Sequence, residues 1–188
     1  MKKGGEWEDL LEGWLDRASQ GRIAPLDPPF QITKTVNKKK RIFQGFFRKQ
    51  GVLDFMGSHE GWHVEIDAKQ TKQNRFPFDH IQKSQWNRAM RLMGDHAAVA
   101  LAVRFRGDWG DQDRIFMVPM RVVLAAQANG RKSITPKVCE RYLWGADPVG
   151  GVTEIRYGKS VTDLITWLNK EVAFCFGKKM LDVSKTKS

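Results

Sequence analysis

Val52-Leu-Asp-Phe-Met56 and Trp62-His-Val-Glu-Ile-Asp-Ala-Lys69 are two apolar-rich runs joined by Gly57-Ser-His-Glu-Gly61. Both runs read as β-strands, and the glycine-bounded segment between them reads as a turn. Residues two apart on a strand share a face, so Glu65, Asp67 and Lys69 project together while Val64, Ile66 and Ala68 face the other way. If the strands pair across the turn, Asp54 comes alongside Asp67. Two carboxylates and an ammonium at one sheet edge are the groups that phosphodiester hydrolysis needs. Carboxylate oxygens hold a hard divalent cation, and a lysine stabilises charge that builds on a phosphate. The carbonyl of Ala68 is a further candidate oxygen. Alternating charge is equally the pattern of a solvent-facing strand, and the Asp54, Asp67, Lys69 spacing is loose on its own.

The flanking chain supplies context. Upstream, Trp7, Leu10, Leu11, Trp14 and Leu15 recur at helical spacing over residues 6–18, and Gly21 with Pro25, Pro28 and Pro29 ends that helix. Phe30–Val36 and Ile42–Phe47 read as strands on either side of the basic turn Asn37-Lys-Lys-Lys-Arg41. Downstream, Asp79 is the expected N-cap of a helix reaching about Gly94. Ala97–Phe105 is almost continuously apolar, as in a central strand covered on both faces. Arg114–Val118 reads as a strand, Pro119–Gln127 as a short helix and Val161–Ala173 as a terminal helix. Residues 131–160 are weakly patterned. We expect one domain over 1–176 and a frayed basic tail over 177–188. Helix, antiparallel strands, helix and buried strand in that order predict an α/β layer fold with a mixed sheet.

Composition narrows the function classes. The chain has 188 residues, 41% hydrophobic and 28% charged, as in ordinary globular proteins. No apolar run is long enough to span a bilayer, and the lysines at the N-terminus are followed by acids rather than an apolar core, which argues against a signal peptide. Cys139 and Cys175 are too few and too distant for a disulfide framework or a zinc site, and Cys175 reads as a small buried residue, so a reducing cytoplasm is the expected location. Lysine and arginine number 32 against 21 acids, a net charge of +11. That excess favours a polyanionic partner, nucleic acid ahead of an anionic membrane.

Several short motifs then converge. Gly51-Val-Leu-Asp-Phe-Met-Gly57, Gly61, Val64-Glu-Ile-Asp-Ala-Lys-Gln-Thr71, Phe76-Pro-Phe78 and His80-Ile-Gln-Lys-Ser-Gln85 resemble, in order and spacing, the core of the RecU family of Holliday junction resolvases within the PD-(D/E)XK nuclease superfamily. Pro29-Phe-Gln-Ile32 and Gly130-Arg-Lys-Ser-Ile134 extend the likeness, which covers roughly residues 5–135. The resemblance implies a restriction-endonuclease-like mixed sheet flanked by helices, with a β-hairpin stalk protruding at about residues 31–50. It implies a homodimeric, Mg²⁺-dependent endonuclease (Mn²⁺ as a substitute) that makes paired symmetric nicks in four-way junction DNA and leaves 5′-phosphates. Asp54, Asp67 and the Ala68 carbonyl become metal ligands, Lys69 the catalytic lysine and Gln85 a helix-borne active-site residue. Glu8 on the first helix is the candidate to complete the metal set, with Glu12 as its competitor. The family's usual glutamate is aspartate at Asp67, and Glu65 has no counterpart; it is read as an exposed acid rather than a spare ligand.

Lys38, Lys39, Lys40, Arg41, Phe43, Phe46, Arg48 and Lys49 mix cations with aromatics in the stalk, which suits phosphate contact and base stacking. Lys72 and Arg75 follow the catalytic strand, and Arg131 with Lys132 forms another basic pair, all four being candidate DNA contacts. The histidines show no ligand spacing and read as incidental, with His80 the one of interest. The tryptophans read as core or interface residues. Two alternatives stay open: a duplex-cutting nuclease of the same superfamily, and a non-catalytic junction-binding protein.

Overall fold

The computed structural model describes residues 5–26, 30–37, 42–47, 53–95, 97–106, 113–144 and 150–185. In chain order the elements are α1 (Gly5–Ser19), β1 (Ile23–Pro25), β2 (Phe30–Asn37), β3 (Ile42–Phe47), β4 (Phe55–His59), β5 (Trp62–Thr71), β6 (Phe76–Pro77), a 3₁₀ turn (Phe78–His80), α2 (Lys83–Gly94), β7 (Ala98–Phe105), β8 (Arg114–Pro119), α3 (Met120–Ala128), β9 (Ser133–Ile134), α4 (Pro136–Arg141), β10 (Thr153–Ile155) and α5 (Ser160–Lys185). The main sheet runs β1-β4-β5-β7-β8-β10. Among the described residues only its β5–β7 pair is parallel. Parallel neighbours need a crossover, and the segment that carries α2 provides it.

The sheet is a partition between two apolar layers. On one side Val64, Ile66, Ala68, Ala98, Ala100 and Ala102 meet Trp7, Leu11, Trp14 and Leu15 of α1 and Leu164, Trp167 and Leu168 of α5. Three alanines on β7 leave room for these tryptophans, so large and small side chains interdigitate. On the other side Val99, Leu101, Val103, Phe105, Phe116 and Val118 pack with Ala89 of α2 and Val122, Val123 and Ala126 of α3. Every residue of β7 is buried, in keeping with its unbroken apolar sequence.

Three boundaries differ from the sequence expectation. The strand expected at Val52–Met56 is β4, starting at Phe55, and it takes in Gly57, Ser58 and His59. Glu60 and Gly61, both at positive φ (49° and 79°), make the whole turn, as a tight two-residue hairpin requires. Gly57 can lie in the strand because a Cβ there would come within 1.9 Å of the Arg22 carbonyl oxygen; its bareness lets β1, which the sequence did not announce, dock on β4. Asp79 is not the cap of α2. It sits in the 3₁₀ turn, and Gln82 caps the helix through a reciprocal box with Gln85. The backbone of α5 stays helical to Lys185, where a frayed tail from Gly177 was expected.

β2 and β3 pair antiparallel, from Phe30 opposite Phe47 to Asn37 opposite Ile42, as a two-stranded sheet separate from the main one. Both cysteines are buried, as the sequence suggested for Cys175. Among the described residues no helix is long and apolar enough to cross a membrane.

Candidate active site

β4 and β5 pair from Phe55 opposite Ile66 to His59 opposite Trp62. Beyond Ile66, β5 continues without β4 as a partner, and the chain before Phe55 turns away. Asp54 occupies that corner. Its carboxylate accepts the Ala68 backbone N–H at 2.8 Å, replacing a ladder bond β4 no longer makes. An N–H and C=O of one strand residue point to the same side, so the Ala68 carbonyl faces this corner too.

Asp67 lies beside Leu101 of β7 and is fully buried. Its Oδ1 accepts a hydrogen bond from Gln85 Nε2 at 3.1 Å. Its Oδ2 has Lys69 Nζ at 2.8 Å as an ion-pair partner, yet among the described residues no donor is aligned to it as a hydrogen bond. The Gln85 side chain is a hub. Its Oε1 accepts from Lys69 Nζ at 3.3 Å and from the Gln82 backbone N–H at 3.2 Å, which fixes the direction of its amide. Removal from water drives the Asp67 carboxyl up to about 8, opposed by the Lys69 ammonium and reinforced by the neighbouring Asp54. A buried carboxyl beside a second carboxylate, with one oxygen lacking an aligned donor, is a donor set that a hard divalent cation fits.

Asp54, Asp67, Lys69 and Gln85 are thus brought together from the bend before β4, from β5 and from α2. Glu8 is exposed on α1, and Glu12 lies with Asp9 and Asp16 over a hollow beside Ile23–Pro25. Among the described residues no three of histidine, cysteine, aspartate and glutamate gather as a metal cluster.

Glu65 departs from the expectation of an exposed acid: it is fully buried. Arg88 of α2 clasps it, with Nε 2.6 Å from Oε2 and Nη2 on Oε1, and His63 Nε2 stands 2.8 Å from Oε1. His63 is therefore not incidental. Nor is His59, which is buried with Nε2 2.7 Å from Asn169 Oδ1 of α5. The His80 ring packs edge to face with that of Phe76. Of the tryptophans, Trp7, Trp14 and Trp167 belong to the core as read. Sequence reasoning missed Arg88; its place three residues after Gln85, on the same helix face, was the available signal.

Arg75, Arg131 and Lys132, remote in sequence, line one open groove of about 710 Å³ with Phe78, Asp79 and Gln127. Pairing of β6 with β9 and the Phe78 N–H to Lys132 carbonyl bond hold the two segments together. Lys72 is exposed in the same turn. Lys38, Lys39, Lys40, Arg41, Arg48 and Lys49 lie outside the described residues, and Phe43 and Phe46 are placed only by their backbone on β3.

The family model for Recombination protein U (RecU) matches residues 16–148. A protein named Holliday junction resolvase RecU from Oceanobacillus iheyensis is 23% identical over 124 residues, 62% of this chain and 61% of the relative. The Staphylococcus aureus (strain JH9) protein of that name is 28% identical over 96 residues, 48% of this chain and 44% of the relative. The chain spans about half the length of the curated relatives it matches. Among solved structures, Hjc of Archaeoglobus fulgidus, a Holliday junction resolvase from an archaeal hyperthermophile, aligns with a TM-score of 0.43 at 14% identity, covering 78% of this chain and 100% of that one. With the RecU model spanning most of its length, this chain belongs to the RecU, Recombination protein U, family.

Proposed function

We propose that this protein is a structure-selective DNA endonuclease that resolves four-way junctions by paired, metal-dependent nicks. The observation that carries the proposal is the corner at which Asp54, Asp67, Lys69 and Gln85 converge. A protein that only bound DNA would gain nothing from carboxylates held beside phosphate. The names of the two relatives, both Holliday junction resolvases, support the choice of substrate, and the net charge of +11 supports a polyanionic one.

Asp54, Asp67 and the Ala68 carbonyl would hold the cation, Mg²⁺ or Mn²⁺. When bound, it supplies Lewis-acid neutralisation of the scissile phosphate. Lys69 keeps its ammonium at the reacting phosphate, where it stabilises the charge of the pentavalent transition state. Gln85 holds that ammonium and the Asp67 carboxylate in register with each other. In-line attack by water then leaves a 5′-phosphate and a 3′-hydroxyl. Arg75, Arg131, Lys132 and Lys72 contact the backbone of the DNA leading away from the cut. Two nicks in a two-fold symmetric junction call for two such sites, hence a homodimer.

The test is cleavage of a labelled four-way junction with Mg²⁺ by wild type and Asp67→Asn, with linear duplex as competitor. Symmetric nicks lost in the variant while binding persists are expected. Preferential duplex cutting would move the enzyme to a different substrate class. Binding with no cutting by wild type in either metal would leave a junction-binding protein.

A further inference from the structure

β5 presents a second polar pair to α2 besides the one already described. Glu65 and Asp67 are two apart on the strand and share a face. Gln85 and Arg88 are three apart on the helix and share a face. Gln85 reaches Asp67, and Arg88 reaches Glu65 with two nitrogens. The strand and the helix are therefore stitched twice, side by side. A planar guanidinium bound through two nitrogens to a carboxylate fixes direction as well as distance. Glu65 is fully buried and Arg88 about a quarter exposed, so the carboxylate side of this clasp is shielded from water.

The stitch matters because the remaining hold on Gln85 is short. α2 has 12 residues; of its side chains Ala89 is buried in the core, with Trp86, Leu92 and Met93 packed partly against it. Gln85 lies in its first turn, at the end nearest the catalytic corner. A small rotation of the helix would carry the Gln85 amide away from both Asp67 and Lys69. We propose that Glu65 and Arg88 are positioning residues that set the azimuth of α2, and so the placement of Gln85 between the metal-binding carboxylate and the lysine. His63, at 2.8 Å from Glu65, caps the outer side of the same clasp. The catalytic part of this inference rests on the nuclease reading above; the placement of Gln85 does not.

The test uses the double variant Glu65→Leu with Arg88→Met, which removes both charges at once and leaves neither one buried alone. Its side-chain amide resonances are compared with wild type, that of Gln85 being assigned through Gln85→Glu. In wild type we expect the Gln85 NH₂ protons to be shifted and slow to exchange, because Asp67 accepts a hydrogen bond from this amide. In the double variant we expect solvent-like shifts and fast exchange. We also expect turnover at saturating metal and DNA to fall at least about tenfold, with the junction Kd unchanged, since loss of alignment acts on the chemical step. Arg88→Lys should sit between the two. If the double variant does not fold, Glu65→Gln, which keeps the volume and one acceptor, carries the same measurement. Unchanged Gln85 resonances and turnover in a folded variant would overturn the proposal. Moved resonances in a protein whose wild type cuts no DNA would uphold the positioning role and sink the nuclease reading instead.

Discussion

Metal affinity should depend on pH through a single carboxyl, that of Asp67. Burial first, and Asp54 after it, lift this group from 3.8 to about 8 against the pull of Lys69. At about 1.4 kcal/mol for each factor of ten, ionising Asp67 without a metal costs on the order of 6 kcal/mol relative to the unfolded chain. Such a cost is comparable with the whole stability of a small domain. The folded-state value lies above the unfolded one, so the stability that comes with a protonated Asp67 is fully present below 3.8 and is lost as pH climbs through about 8, where the cost of ionisation is complete. A cation needs the ionised form. Below about pH 8 its affinity should therefore rise roughly tenfold per pH unit, and above that it should level off. Titration calorimetry with Mg²⁺ or Mn²⁺, in buffers of different ionisation enthalpy, counts the protons released: about one near pH 6.5 and about none near pH 9. Asp67→Asn should abolish the release and flatten the pH dependence of metal-free melting. An affinity that does not change between about pH 6.5 and about pH 8, with no proton released, would show that Asp67 is already ionised and that burial does not dominate its chemistry.

Gln85→Ala should slow cleavage about 10- to 100-fold while leaving junction affinity intact, and should cost about 1 kcal/mol of stability because it also removes half of the α2 capping box; single-turnover kinetics and thermal melts separate the two effects. Replacing Arg75, Arg131 and Lys132 together by glutamine should weaken binding to any DNA sequence and lower the slope of log K against log salt by about 0.9 for each phosphate no longer neutralised, read from fluorescence anisotropy at several salt concentrations. An unchanged slope would remove the groove from the DNA path. Gly57→Ala should destabilise the protein by roughly 2 kcal/mol or more, because the new methyl meets the Arg22 backbone at 1.9 Å and β1 must leave β4; a melting temperature within a degree or so of wild type would contradict that close approach.

Local periodicity made much of this molecule legible. The two-residue alternation of Val64–Thr71 was enough to put Asp67 and Lys69 on one face, because strand geometry is a property of adjacent residues. The apolar runs at Ala97–Phe105 and along residues 6–18 likewise announced β7 and α1. The short motif at His80–Gln85 marked Gln85, although the helix that carries it begins later than the sequence suggested, since Gln82 rather than Asp79 satisfies its first N–H groups. Other features had no local signature. β1 exists only because Gly57, far along the chain, leaves a gap for it. Arg75 and Arg131 share a groove only because β6 pairs with β9.

Glu65 shows the division most clearly. From the sequence it is an acid on the polar face of a strand, and polar faces are usually wet. In the fold that face is covered by α2, which brings Arg88 to neutralise it and Gln85 to hold Asp67. The sequence by itself determined which side chains share a face, because that depends on backbone period alone. Which faces are buried, and therefore which carboxyls are paired, protonated or open to a cation, was decided by the tertiary structure, because desolvation depends on what distant parts of the chain lay over them.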